Sequence, residues 1–285
     1  HLCGRSAHVA TPERLVWGAA PADFFEAALP LGNGRAGAMM FVTIPSEHIL
    51  RNEESLWAGG PVDPSMNPEA HRFLPQVREA LFKGDYSLAD SLIRNMQGSF
   101  SQSYAPLGDL YLDLQHGQEV EDYARTLDLR NAVASTQYRI GTTTYQREAF
   151  VSFPDQLLLI RLSADTPDAL NFVLRADSLL RFTVQTTEDH DLILSGRAPV
   201  HAEPSYRGDI ADPIVYDEAA QKGMRFEVRA SILDTDGDIG SSGSAVSVQD
   251  AEFAVIAVAL ATSFNGFDKE PGTEGKDPSE LVRAH

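Results

Sequence analysis

The sequence predicts a mainly β protein: an antiparallel β-sandwich with one small helical insertion. Apolar and polar residues alternate over many short segments, as at Leu110, Leu112 and Leu114, and a period of two is typical of strands with one buried face. Gly, Pro and Asp residues that favour turns separate these segments. A period of 3.6 is confined to residues 68–96. Short strands without alternating helices favour an antiparallel sandwich over a parallel βαβ sheet.

Further strands are predicted after the one around Leu110. Many of them are rich in Val, Ile, Thr, Phe and Tyr, which pack well on a pleated surface. They span residues 132–140, 142–153, 156–164, 169–176, 191–195, 224–233, 245–248 and 252–261. The pair Asp236-Gly237 follows one of them, and Asp-Gly is a strong hairpin signal because glycine accepts a positive φ. The sequence therefore predicts a hairpin turn at this point.

The helical insertion is predicted as a hairpin of two helices, at residues 68–83 and 85–96. Asn67 is the expected N-cap of the first helix, and Gly84 suits its exit. Pro75 is expected to divide this helix, because proline disrupts a helix interior. The apolar face of the first helix consists of Ala70, Phe73, Leu74, Val77 and Leu81, and that of the second consists of Ala89, Leu92, Ile93 and Met96.

The chain divides into three predicted regions. Residues 1–14 form a leader or disordered segment, and residues 15–264 form the sandwich domain with its helical hairpin at 68–96. Residues 265–285 carry several Gly and Pro residues among charged ones, which is the composition of a linker. We therefore expect more protein to follow the last core strand.

The charge and composition exclude several classes of protein. The chain has 23 basic and 41 acidic residues, a net charge of −18, which repels nucleic acid and anionic membrane surfaces. The longest apolar run, residues 253–261, is about half the roughly 20 residues that a membrane-spanning helix needs. A single cysteine, Cys3, excludes a disulfide scaffold and a cysteine-based zinc site.

The segment at residues 52–61 concentrates groups that bind sugars. Asn52, Glu53 and Glu54 can hydrogen-bond hydroxyl groups, and the indole of Trp57 can stack on the C–H face of a pyranose. Adjacent residues on a strand point to opposite sides, so Glu53 and Glu54 are not expected to flank one substrate as an acid–base pair. The alternative is structural, with Trp57 as an anchor and the two glutamates as hydrogen-bonding struts.

A second polar segment, at residues 196–206, contains His201 and Glu203 between two prolines. Rigid loops that present such groups are a common way to build a site, so we expect this segment to lie on the same side of the sandwich as residues 52–61. Other motifs fit ordinary turns better than sites. The G-x-G-x-x-G at 32–37 lacks a following helix, and the acidic loop at 234–238 lacks the ligand pattern of a calcium loop.

Taken together, several segments resemble the N-terminal domain of glycoside hydrolase family 95, the 1,2-α-L-fucosidase family. The likeness runs from about residue 15 to about residue 278, and the order of the motifs makes it specific. The matching pieces are residues 26–40 (EAALPLGNGRAGAMM), 52–61 (NEESLWAGGP), 104–110 (YAPLGDL), 127–129 (LDL), 196–206 (GRAPVHAEPSY), 223–227 (GMRFE) and 261–269 (ATSFNGFDK).

This resemblance implies a β domain of the super-sandwich type that precedes a linker, an (α/α)6 catalytic barrel and a C-terminal β domain. Members of the family release terminal α-linked L-fucose with inversion, using a glutamic acid and a water held by asparagine and aspartate. Those residues lie in the barrel, so no catalytic residue is carried over to this chain. Some related members act on L-galactose, so the sugar stays open.

The resemblance therefore predicts a non-catalytic domain that braces the barrel and lends loops to the rim of its pocket. Its partners would be the barrel of the same protein and a fucosylated glycan, without a cofactor or metal, and outside the cell or in the periplasm. The rim candidates are Asn52, Glu53, Glu54, Trp57, His201 and Glu203. Two alternatives remain, an independent carbohydrate-binding module and a purely structural domain.

Overall fold

Two antiparallel β-sheets packed face to face form the body of the protein, in a computed structural model that describes residues 13–18, 25–98 and 102–284. One sheet has the strand order β1-β6-β7-β8-β9-β18-β15-β12-β11, and the other has β16-β17-β10-β5-β4-β3-β2. Strands β13 and β14 form a separate ribbon. The strands are β1 Arg14–Trp17, β2 Leu29–Gly32, β3 Ala36–Met40, β4 Ser46–Glu53, β5 Gly108–Leu114, β6 Glu121–Asp128, β7 Val133–Ile140, β8 Thr143–Val151, β9 Leu157–Ala164, β10 Leu170–Asp177, β11 Arg181–Thr186, β12 Leu192–Arg197, β13 His201–Ala202, β14 Ile214–Val215, β15 Arg225–Thr235, β16 Asp238–Ser242, β17 Ala245–Ala251 and β18 Phe253–Thr262.

The predicted sandwich is confirmed, and its core follows from the alternation in the sequence. In β5, for example, Leu110, Leu112 and Leu114 point inward and are buried, while the residues between them are partly exposed. Leu174 of β10 pairs with Leu112 across the same sheet, so the two strands present one continuous apolar face. Burial of such faces is the main favourable contribution to folding.

The hairpin predicted at Asp236-Gly237 is wrong. Strand β15 before it pairs with β12 and β18, whereas β16 after it pairs with β17 in the other sheet. The chain therefore crosses between sheets here, and the Asp236 carboxylate accepts hydrogen bonds from the N–H groups of Glu252 and Phe253. Gly237 is needed because a Cβ there would lie 2.3 Å from the Gln249 carbonyl oxygen, not because of a positive φ.

The helical insertion is present, with α1 at Leu74–Phe82 and α2 at Tyr86–Ile93, flanked by 3-10 turns at Ala70–Phe73 and Arg94–Met96. Pro75 stands in the first turn of α1 and separates it from the 3-10 turn, as expected. Asn67 is not the N-cap. Its side-chain amide donates instead to the carbonyl oxygens of Asn95 and Gln97, which ties the two ends of the insertion together.

The buried side of the insertion also differs from the predicted face. Val77 and Ala80 of α1 and Ala89 of α2 are its buried helical residues, while Leu74 and Leu81 remain exposed. The two helices pack against each other, and small residues such as the alanines let helices approach closely. None of the helices among the described residues is long and apolar enough to cross a membrane.

The C-terminal segment, residues 262–284, lies on the outside of the larger sheet. It ends in a third helix, α3 (Pro278–Arg283), whose Val282 packs against Ala259 and Ala261 of β18. This contact explains why the apolar run of β18 is buried on both faces. The residues predicted as a linker, 265–285, are therefore folded onto the domain as far as residue 284, and their connection to a further domain stays a prediction. Of the predicted leader, residues 1–12 lie outside the described residues, and Arg14 begins β1.

Candidate functional site

A cavity of about 760 Å³ lies between two parts of the chain that are far apart in sequence. One wall is the tryptophan segment, residues 52–61, and the other is the C-terminal segment. Arg35, in the turn before β3, also lines the cavity. The exposed aromatic rings at the cavity are those of Trp57, Phe264 and Phe267. Aromatic surface beside a few charged groups is typical of a binding site.

Trp57 is held in place but is not buried. Its indole Nε1 donates to the Glu54 carbonyl oxygen at 3.1 Å, and its ring packs against Tyr104 with a centroid distance of 5.3 Å. Tyr104 is fixed in turn by donating its hydroxyl to the Glu53 carbonyl oxygen. The Trp57 side chain is nevertheless 43% exposed, so it is not an anchor in the core. A preordered and exposed indole is suited to contact another molecule or domain.

Glu53 and Glu54 have opposite environments, as the alternation of a strand requires. Glu53 is the last residue of β4, faces inward and is 3% exposed. Its Oε1 lies 3.3 Å from the Arg35 guanidinium Nε, and its Oε2 accepts bonds from the N–H and hydroxyl of Ser55. Glu54 is exposed at the cavity. The geometry of Glu53 thus favours the strut role over contact with a substrate.

The contacts around Glu53, Arg35 and Ser55 extend into the C-terminal segment. The Ser55 hydroxyl has one proton, which it donates to Glu53. The hydrogen bond between Ser55 and Thr262, at an oxygen–oxygen distance of 2.6 Å, is therefore donated by the Thr262 hydroxyl. Arg35 also donates to the Leu260 carbonyl oxygen at 2.9 Å. The two walls of the cavity are therefore connected by the Arg35–Glu53 ion pair and by hydrogen bonds that run from Glu53 through Ser55 to Thr262 at the end of β18.

The histidine segment, residues 196–206, contacts the tryptophan segment directly. The Gly59 N–H donates to the Pro199 carbonyl oxygen at 2.9 Å, so the two segments lie on the same side of the sandwich. His201 Nε2 lies 3.1 Å from Glu203 Oε1, and Gln102 Nε2 lies 3.3 Å from His201 Nδ1. His201 and Glu203 thus form a cluster with Gln102 and are not lining residues of the cavity.

The structure brings together half of the predicted rim candidates. Glu53, Glu54 and Trp57 line the cavity. Asn52 alternates with Glu53 on β4, so its side chain is on the outer face of the smaller sheet, opposite Gly37. Sequence reasoning missed several lining residues, although all but Lys276 lie within the motifs at 26–40 and 261–269. They are Arg35, Phe264, Phe267, Lys269 and Lys276.

Two carboxylates line this cavity, and they differ in how they are engaged. Its one inward carboxylate, Glu53, is engaged by Arg35 and Ser55, which leaves Glu54 as the exposed acid among the lining residues. Glycoside hydrolysis needs two carboxyl groups on either side of the bond. The described residues contain no group of three His, Cys, Asp or Glu side chains that could hold a metal ion.

Comparisons with known proteins point to a family of enzymes. Residues 16–266 match the family model described as glycosyl hydrolase family 65, N-terminal domain. The chain is 32% identical to alpha-L-fucosidase 2 of Arabidopsis thaliana over 94% of its length, and 33% identical to probable alpha-fucosidase A of Aspergillus niger over 58%. It covers 32% and 22% of these two relatives, so it spans a third or less of their length.

A solved structure titled putative kojibiose phosphorylase from human microbiome is also similar. It aligns with 96% of this chain and 34% of its own, at 10% sequence identity and a TM-score of 0.45.

Proposed function

The chain belongs to the family of glycosyl hydrolase family 65 N-terminal domains, and on that premise we propose that it is the non-catalytic N-terminal domain of an inverting α-L-fucosidase. The domain braces a catalytic (α/α)6 barrel and lends the tryptophan segment to the rim of the substrate pocket. The proposal includes membership of glycoside hydrolase family 95, to which the sequence motifs point, and a location outside the cell or in the periplasm.

The observation that carries the proposal is the relation between this chain and its relatives. Two proteins named as fucosidases are 32% and 33% identical to it, and the chain spans only a minor part of each. A domain that accounts for about a third of an enzyme can leave the catalytic residues to the remainder. The engaged state of Glu53 supports this division, because inverting hydrolysis needs a free acid and base about 6.5–9.5 Å apart.

The exposed aromatic residues support a role at a rim. Trp57 is preordered by Tyr104, and Phe267 is 89% exposed on the opposite wall of the cavity. Large exposed apolar side chains that cluster around a concave surface mark interaction sites. The proposed occupant of this surface is the barrel together with the fucosylated end of its substrate.

The test compares the 285-residue chain with the polypeptide that its gene encodes together with downstream sequence. Both are incubated with an oligosaccharide that ends in α-1,2-linked L-fucose, and release of fucose is followed by NMR. We expect the longer polypeptide to release β-L-fucose first, as inversion requires, and the 285-residue chain to be inactive. Fucose release by the short chain above a mock purification, or initial release of the α-anomer, would contradict the proposal.

A second candidate function is an independent carbohydrate-binding module, which the exposure of Trp57 favours. Calorimetry of the 285-residue chain with L-fucose and with L-galactose separates the two functions. A module would bind one of these sugars alone and lose the binding in Trp57→Ala. A domain that only completes the rim of the barrel pocket would show no heat of binding with either sugar.

A further inference from the structure

The helical hairpin presents an apolar face that no described part of the chain covers. Leu74 and Leu81 are seven residues apart on α1, and Tyr86 and Ile93 are seven apart on α2, so each pair forms a stripe along its helix. All four side chains are exposed, Leu81 by 47% and Tyr86 by 72%. This set of four residues is the hairpin face.

Helix geometry places the two stripes on one side of the hairpin. The stripe lies roughly 80° around α1 from its buried residues, Val77 and Ala80, and roughly 50° around α2 from its buried residue, Ala89, in both cases in the direction of increasing residue number. In an antiparallel pair, rotation in this direction leads to the same side for both helices. The stripes therefore form one continuous surface with a groove between the helices, which is suited to accept another helix.

The helices themselves are too short to be stable without packing. They contain nine and eight residues, and isolated helices below about 12–15 residues are marginal in water. The two helices bury only three side chains, those of Val77, Ala80 and Ala89. Among the described residues, neither helix makes an extended contact with a sheet. A covered hairpin face would supply the missing apolar burial.

The charge distribution indicates what covers it. Residues 62–98 carry five acidic and four basic side chains, whereas the whole chain has a net charge of −18. Because its charges nearly cancel, this region presents little electrostatic barrier to a partner surface. A second copy of this acidic chain would be repelled, while another part of the same polypeptide is held at a high effective concentration.

We infer that the hairpin face docks against an apolar helical surface in the remaining part of the same polypeptide, in a protein of the length of the fucosidase relatives. This inference rests on the proposed function only in requiring a longer polypeptide. The interface is separate from the cavity and adds a second point of attachment between the domain and the remainder.

Hydrogen–deuterium exchange of residues 70–96 tests the inference, in the 285-residue chain and in the longer polypeptide. We expect exchange of the hairpin amides to be at least tenfold slower in the longer polypeptide. The double variant Leu81→Glu with Ile93→Glu should remove this protection in the longer polypeptide. The matched control is Leu179→Glu, since Leu179 is 88% exposed outside the hairpin, and it should leave the protection intact.

The possible outcomes are distinct. Equal exchange in both polypeptides, or a gene that ends with this domain, would overturn the inference. Protection in the short chain that rises with protein concentration would also overturn it, because it would show that a second copy covers the hairpin face. If the double variant unfolds the hairpin in the short chain as judged by circular dichroism, the milder Leu81→Ala replaces it. If the longer polypeptide protects the hairpin amides but releases no fucose, only the proposed activity is contradicted. If it releases fucose but does not protect these amides, only the docking is contradicted.

Discussion

Arg147 and Glu47 form a buried ion pair that joins the two sheets of the sandwich. Arg147 lies on β8 of the larger sheet and Glu47 on β4 of the smaller one, and both side chains are almost completely buried. Glu47 also accepts the Val42 N–H at 2.7 Å, and Arg147 donates to the Thr43 carbonyl oxygen at 2.9 Å. Burial raises the pKa of Glu47, and the Arg147 charge opposes that rise.

Removal of one partner from this pair should be strongly destabilising. Glu47→Gln leaves the Arg147 charge buried without a counter-ion, and we expect a loss of about 3–5 kcal/mol in the free energy of unfolding. Urea denaturation of the 285-residue chain measures it. Glu79→Gln removes an exposed pair with Lys83 and serves as the control, with no measurable change expected. A similar small effect for both variants would show that the buried pair is not important for stability.

His116 should make stability depend on pH. Burial lowers the pKa of His116, whose Nδ1 lies 3.0 Å from the Gly117 carbonyl oxygen and whose Nε2 lies 2.7 Å from the Tyr138 hydroxyl. The carbonyl oxygen accepts, so Nδ1 carries the proton and neutral Nε2 accepts from Tyr138. Because the folded pKa lies below the unfolded value of 6.5, this stabilisation is present above pH 6.5 and is lost as the pH falls through the folded pKa.

The measurement is the melting temperature as a function of pH. His116→Gln should reduce the slope of the melting temperature below pH 6.5 relative to wild type, and His71→Gln, which changes an exposed histidine of the hairpin, should not. An unchanged slope in the His116 variant would mean that other groups cause the loss of stability in acid.

Glu53 and Glu54 provide a matched pair of adjacent acids. Glu53→Gln disrupts the bonds to Arg35 and Ser55, and we expect it to lower the free energy of unfolding by about 1.5–3 kcal/mol, the usual range for hydrogen bonds to charged groups. Glu54→Gln should leave stability unchanged because its side chain is exposed. Chemical denaturation of both variants distinguishes them. If Glu54 proved the more sensitive, the assignment of Glu53 as the structural strut would be wrong.

The packing of the C-terminal segment against the backbone at residues 221–222 should depend on Gly272. A Cβ at this position would lie 2.0 Å from the Gln221 carbonyl oxygen and 2.8 Å from the Lys222 Cα, and neither backbone atom can move easily. Gly272→Ala should therefore cost about 1–3 kcal/mol, as overpacking does, and should expose the segment to limited proteolysis. Gly98→Ala, at a position with open space, is the control. Equal protease resistance in the two variants would contradict this account.

The sequence by itself determined the fold class and most of the local structure. The period of two around Leu110 and the apolar run of β18 predicted strands, and the period of 3.6 around Pro75 predicted the divided helical hairpin. These predictions succeeded because the burial of one face requires a fixed local spacing of apolar residues. The polar and aromatic residues at 52–61 were also recognisable as a candidate site before any contact was known.

Only the tertiary structure decided which residues meet. Asp236-Gly237 has the local signature of a hairpin, yet the chain crosses there to the other sheet, because the pairing of strands depends on partners far away in sequence. Arg147 and Glu47 are 100 residues apart, and Ser55 and Thr262 are 207 apart. A local pattern predicts that a residue faces inward, but it does not predict which residues that side chain contacts. The contacts depend on how the two sheets pack together. The cavity and its second wall could therefore not be assembled from the sequence.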